Sequence, residues 1–351
     1  MRKISFCEAI REALFQALEK DKNVFLMGEG VDDPRAIFGS TRGLKEKFGK
    51  ERVFDLPLSE NGMTGVMIGA SLTGMRPVMT HQRLDFTLYA MDQIVNHAAK
   101  RCYTSGGKQS VPLKIRAIVG RGWGQGSQHS QSLQSLFAHI PGLKVVMPAS
   151  PYDAKGLLLA SIWDDNPVIF IEYRRLYEEI GEVPEAPYTV PLGEGSVRCE
   201  GKDVTLVAVS YMVLESLRAK ETLEKAGVSV EIIDPRTLKP LDETLILRSV
   251  QKTGRLVIAD TGWKTCGFSA EIAAMVAEKE FASLKAPIRR VALPDIPTPT
   301  SSVLEQIFYP GPREIVRAVC EVMSLPEGNL AELSSSHEKT TSPGKPFVGP
   351  F

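Results

Sequence analysis

A carboxylate, Glu60, stands at the entrance of a run of small and apolar residues, DLPLSENGMTGVMIGASLTGMRP, from Asp55 to Pro77. At the first helical position after Ser59 it reads in two ways. It complements the positive end of the helix dipole, a surface arrangement worth roughly a few tenths of a kcal/mol. Alternatively, Leu56, Pro57 and Leu58 before it and the apolar helix after it take the carboxyl out of water, where it keeps a proton near neutral pH and can shuttle it. A second cluster is GRGWGQGSQHSQS, Gly120 to Ser132, with four glycines in its first seven residues. It follows a strand, as ligand-binding loops of open α/β folds do, but matches neither the dinucleotide nor the Walker phosphate pattern. His129 sits there between Gln128 and Ser130 and is either structural or catalytic. His81 and Arg83 close another strand, where an arginine suits an anionic ligand or simply the surface. Phe86, by period alone, is a core residue.

These groups need a scaffold, and the apolar pattern supplies one. Ser5-Phe6-Cys7-Glu8 is a capping-box pattern opening a helix with Ile10, Leu14, Ala17 and Leu18 on one face, so no leader peptide is expected ahead of it. Strands are predicted over 23–27, ending at Gly28-Glu29-Gly30, and over 77–82, 111–119, 143–147 and 167–171. Asp85 is predicted to cap a helix reaching about Tyr103, with Phe86, Tyr89, Ile94 and Ala98 at helical spacing, and a further helix covers 153–163. The helix after Glu60, with Gly62, Gly65, Gly69 and Gly74, is poor by propensity and is predicted to be held by burial. Prolines and acids break the period across 178–195. Beyond them, strand, helix, strand, helix and strand recur from 203 to about 260. Strands alternating with helices imply an α/β chain of two domains, each a mainly parallel sheet flanked by helices, over 1–185 and 186–326, with a flexible tail over 327–351.

Composition excludes several functions. With 42 basic and 42 acidic side chains in 351 residues, no global field favours nucleic acid or an anionic membrane surface. No apolar run is long enough for a membrane span. The five cysteines are scattered, with neither CxxC pairs nor ligand-spaced histidines, which argues against zinc and a disulfide framework and fits a reducing cytoplasm.

Several stretches together are more specific: LPLSENGMTGVMIGASLTGMRPV, AMDQIVNHAAK, QHSQSLQSLFAHIPGLKVVMPASPYDAKGLL, DDNPVIFIEYRRLY, IIDPRTLKPLDETLILRSVQKTGRLVIADTGW and GFSAEIAAMV. Over residues 3–323 the chain resembles the β subunit of thiamin-diphosphate-dependent 2-oxo acid dehydrogenase E1 components of the pyruvate, branched-chain and acetoin type. That resemblance implies a pyrimidine-binding domain followed by a transketolase C-terminal domain. It implies that Glu60 bonds the cofactor's aminopyrimidine ring and shares a proton with it, that Phe86 stacks on that ring, and that Leu58 lies in the same contact stretch. His129 is placed to meet the substrate or acyl intermediate, and Glu29 is an acid linking active sites. Leu113, Ser161, Ile162, Asp164 and Asn166 fall on positions that hold a structural potassium ion, K+, largely through backbone carbonyls. The GDG motif that holds Mg2+ and diphosphate does not occur here, so the resemblance implies an α subunit that carries it, an α2β2 heterotetramer, and a lipoyl acyltransferase (E2) as acyl acceptor. The alternatives are half of a split transketolase-like acyl or ketol transferase, and a non-catalytic subunit in which Glu60 only caps a helix. One departure stands out. Relatives usually read Glu-x-x-Phe-x-Asp-Phe where this chain runs Thr80 to Phe86 through His81 and Arg83, so these two are candidates for contacting a substrate with a further anionic group.

Overall fold

The computed structural model describes residues 1–33, 35–121 and 124–325. The tail expected over 327–351, and Gly122 and Trp123 of the glycine loop, lie outside the described residues. Two compact units emerge: one made of 1–120, 129–194 and 236–241, the other of 121–128, 195–235 and the segment from Asp242 onward.

In the first unit, β1 (Arg2–Ser5) pairs with β8 (Ile180–Val183), and a seven-stranded sheet is built from β2 (Val24–Gly28), β3 (Val53–Asp55), β4 (Arg76–His81), β5 (Lys114–Val119), β6 (Lys144–Val146), β7 (Val168–Tyr173) and the later β12 (Thr237–Lys239). Its order is β12-β6-β7-β5-β4-β2-β3, parallel except for β12 against β6. Strands β2, β5 and β7 are buried along their whole length, as a parallel sheet covered on both faces requires. The capping box forms: the Ser5 hydroxyl accepts from the Glu8 N–H at 3.1 Å, and the Ser5 N–H donates to the Glu8 carboxylate at 2.8 Å. The second unit has a five-stranded sheet of β9 (Ser196–Cys199), β10 (Val204–Ala208), β11 (Val230–Asp234), β13 (Leu256–Trp263) and β14 (Arg289–Leu293), in the order β14-β13-β10-β11-β9. Only β9 runs antiparallel. Helices Met212–Lys225 and Glu243–Thr253 supply its parallel crossovers.

Two expectations are corrected. Helix Glu60–Leu72 buries only Thr64, Met67, Ile68 and Ser71. Gly62, Val66, Gly69 and Thr73 form an exposed row at helical spacing, and at Gly62 and Gly69 an added Cβ would meet nothing within 4 Å. Its own chain packs one face of this helix and leaves the glycine face open. The α-helix expected from Asp85 to Tyr103 is instead a 3₁₀ segment, Leu84–Ala90, a π turn, Gln93–Ala98, and a short α turn, Arg101–Thr104. The π turn is marked by the Ala99 N–H reaching back five residues to the Ile94 carbonyl at 3.0 Å. Side chains three apart eclipse in a 3₁₀ helix, so Leu84, Thr87 and Ala90 point inward together while Phe86 and Tyr89 share the outer side. Phe86 is thereby half-buried and available instead of being sealed in the core.

Candidate active site

The carboxyl ends of β2 and β3 and the head of helix Glu60–Leu72 bring three acids together, Glu29, Asp55 and Glu60. Gly28 ends β2 so close to its neighbour that an added Cβ would lie 2.3 Å from the Thr80 carbonyl oxygen, which explains the glycine before Glu29. Asp55, at the end of β3, accepts from the Gly30 N–H at 2.7 Å and holds the turn, in which Gly30 has φ +72°. Gln82 Nε2 donates to the Glu29 carbonyl at 3.1 Å. Glu60, half-buried at the head of its helix, shares a side-chain hydrogen bond with Glu29. Burial, then the charge of Glu60 and that hydrogen bond, then Asp55, push the Glu29 carboxyl from its ordinary 4.5 up to about 7. The raised acid at this edge is therefore Glu29, with the Glu60 carboxyl against it.

That pairing has a pH signature. An acid whose pKa is higher in the folded chain keeps a proton that the unfolded chain releases, so its contribution falls as pH rises from about 4.5 to about 7 and is fully unfavourable above that window. Thermal melting across this range should show Glu29→Gln losing less stability than the wild type as pH rises. Parallel melting curves for the two proteins would remove the raised Glu29 carboxyl.

Asp85, predicted to cap a helix, does not do so: the residue at the cap position is Arg83, with no side-chain cap bond. Buried Asp85 instead accepts from Gln131 N–H at 3.2 Å and Gln131 Nε2 at 2.8 Å, tying the QHSQ segment to the 3₁₀ helix. Its other oxygen, Oδ2, has no hydrogen-bond partner among the described residues, and burial pushes its pKa up against the Gln131 bonds. This clamp sets His129 edge-on to Phe86, with ring centroids 5.4 Å apart and planes at 85°. Asp85 and Gln131 are the positioning residues that the sequence reading passed over, although both lie inside motifs it quoted. Helix Glu60–Leu72 packs on the segments carrying Phe86 and Gln93, so Glu29, Glu60, Phe86 and His129 rest on one connected frame. Leu58, in the loop before the helix, is 80% exposed and has no apolar pocket around it in the chain by itself.

His81 and Arg83 lie deeper. His81 is fully buried, neither ring nitrogen has a partner among the described residues, and burial pushes the imidazole down to about 4. Arg83 is buried, donates to the Gln82 carbonyl at 2.6 Å, and its guanidinium lies 5.1 Å from the centre of the Phe38 ring, which Arg174 meets at 4.8 Å. Thr80 sits 3.5 Å from a guanidinium nitrogen of buried Arg116.

The five potassium positions do cluster, between the end of helix Pro151–Trp163 and the starts of β5 and β7, but their donor set does not fit the ion. The ammonium of Lys114 bonds the carbonyls of Asp164 at 2.6 Å and Asn166 at 2.9 Å, and Arg76 NH1 lies 3.3 Å from the Ile162 carbonyl. The Leu113 carbonyl accepts from Val168 N–H, and that of Ser161 from Asp164 N–H. Each of these oxygens already has a protein donor. For a divalent metal, no group of three or more His, Cys, Asp or Glu side chains among the described residues is arranged to hold the ion. No described helix is long and apolar enough to cross a membrane.

Comparison with known proteins places this arrangement. The transketolase pyrimidine-binding domain model matches residues 2–179, and the transketolase C-terminal domain model matches 193–315. The acetoin:2,6-dichlorophenolindophenol oxidoreductase subunit beta of Bacillus subtilis is 45% identical over 93% of this chain and 99% of its own length. The pyruvate dehydrogenase E1 component subunit beta of the same organism is 40% identical over 92% and 99%. The chain belongs to the family of E1 β subunits. Another member, the 2-oxoisovalerate dehydrogenase subunit beta of B. subtilis, is 41% identical over 92% of this E1 β chain. The fold is also that of a solved split-gene transketolase, an inactive beta4 tetramer, with a TM-score of 0.74, 24% identity, and coverage of 92% of this chain and 99% of that one.

Proposed function

We propose that this E1 β chain is one half of a thiamin-diphosphate-dependent enzyme that decarboxylates a 2-oxo acid and passes the acyl unit to a lipoyl group on a partner acyltransferase. The observation that carries the reading is the hydrogen-bonded carboxyl pair of Glu60 and Glu29 beside the Phe86 and His129 rings. When bound, the cofactor supplies a centre that accepts the electron pair released with carbon dioxide. Glu60 holds a proton against the aminopyrimidine ring and takes it back, with Glu29 as the reservoir behind it. Phe86 and Leu58 present apolar surface to that ring. His129, held by the Asp85–Gln131 clamp, offers a ring nitrogen to the substrate.

The half-site needs a complement. Glu60 is half-buried, Leu58 is exposed, and the glycine face of helix Glu60–Leu72 is open, which supports close approach by another subunit. An α subunit in an α2β2 heterotetramer would supply the diphosphate and Mg2+ site and complete the desolvation of Glu60. The relatives are named as dehydrogenases and an oxidoreductase, which supports an oxidising acceptor over the aldehyde of a split transketolase. A substrate role for His81 and Arg83 requires these buried side chains to move. A 2-oxo acid preference unchanged by Arg83→Met would remove them from the site.

The test is reconstitution. The chain alone should release no carbon dioxide from any 2-oxo acid, and the same chain co-expressed with a GDG-bearing α subunit should do so only with thiamin diphosphate present. A stable complex inactive toward every 2-oxo acid, with the cofactor bound, would overturn the assignment.

A further inference from the structure

We propose that Lys114 stands in for a metal ion: its side-chain amine occupies the carbonyl cage in which a monovalent cation would sit, so this chain folds and assembles without potassium.

The observations are local and independent of the catalytic site. Helix Pro151–Trp163 ends with carbonyls that have no partner further along the helix, and a positive group there complements the dipole. Lys114 projects from the first position of β5, is fully buried, and donates to the Asp164 and Asn166 carbonyls in the turn that leads from the helix into β7. Arg76 NH1 covers the last carbonyls from the other side, at 3.3 Å from Ile162, 3.4 Å from Trp163 and 3.3 Å from Asp164, while its NH2 pairs with Asp165 at 2.6 Å. Lys144 pairs with the Asp164 carboxylate, whose other oxygen accepts from the Asn166 N–H at 2.8 Å. An alkylammonium head matches a potassium ion in charge and approximately in size, and the same oxygens suit both. A metal ion added to this cage would meet the positive charges of Arg76 and Lys144 at close range. The exclusion is also steric. An amine has hydrogens for both of its carbonyl bonds with or without its third proton, so the space is filled in either state.

The experiment compares thermal midpoints of the full chain, and of its complex with an α subunit, in potassium chloride and in tetramethylammonium chloride at matched ionic strength. The wild-type midpoints should agree within about 1 °C. Lys114→Val, which leaves the carbonyls facing an aliphatic side chain, should melt lower in the tetramethylammonium salt. It should recover by roughly 3–6 °C, saturably, as potassium replaces that salt, in the manner of a ligand binding only the folded state. A saturable potassium-dependent rise in the wild type overturns the proposal, because the lysine then leaves room for an ion. A Lys114→Val midpoint identical in the two salts overturns it as well, because the cage is then no cation site. If Lys114→Val does not fold, Lys114→Gln, which keeps an N–H for one carbonyl, takes its place, and the wild-type comparison needs no variant. Melting is read in place of turnover, so failure here leaves the catalytic assignment untouched.

Discussion

Glu60→Gln in the assembled α and β enzyme is expected to lower the decarboxylation rate by about 10²–10⁴-fold while the complex still forms. Glutamine keeps the shape of glutamate and can hydrogen bond a ring nitrogen, but it has no proton to exchange. The interaction lost is therefore the transfer itself, and the loss should fall on kcat more than on cofactor affinity. The same change removes the carboxylate that faces Glu29, one of the causes holding that neighbour up at about 7. Glu60→Gln should thus also flatten the decline of stability with rising pH, a readout that a bland helix-capping role would not move. Cofactor-loaded Glu60→Gln complex turning over at the wild-type rate would show that the carboxyl only complements the helix dipole.

Glu172→Gln should cost about 3–5 kcal/mol of stability, because it strands a buried guanidinium. Arg116 and Glu172 are both fully buried, and they meet through two bonds, Nε to Oε1 at 2.6 Å and NH2 to Oε2 at 2.9 Å. Tyr177 donates its hydroxyl to Glu172 at 2.5 Å, and Ser40 lies 3.1 Å from Arg116 NH2. The network ties β5 to β7 and to the loop carrying Phe38, below the catalytic edge. A double change, Arg116→Met with Glu172→Leu, takes out both charges together and should recover part of the loss, leaving the Tyr177 hydroxyl as the main uncompensated group. Equal urea midpoints for Glu172→Gln and the wild type would mean that water reaches the pair.

Much of the architecture is written locally. The alternation of apolar runs with helical patterns announces two α/β layers, because side-chain period is a property of neighbours along the chain. The Ser5–Glu8 capping box and the glycine before Glu29 are likewise visible in a few consecutive residues, and so are the motifs that mark Glu60, Phe86 and His129. The 3₁₀ and π turns after Arg83 are not, since the outward turn of Phe86 depends on which face the sheet covers.

Pairings between distant segments could only come from the folded chain. Nothing near Glu60 in the sequence says that Glu29 stands against it; register between β2 and its neighbours places them together. Asp85 reads locally as a helix cap and becomes a clamp on Gln131 because a loop 46 residues away folds back onto it. Lys114 is one charged residue inside the predicted strand 111–119, and it fills an expected ion site because β5 begins beside the turn at Asp164. In each case the side chain's role is set by a partner that backbone geometry delivers, and the free energy of a charge depends on that partner more than on its own residue type.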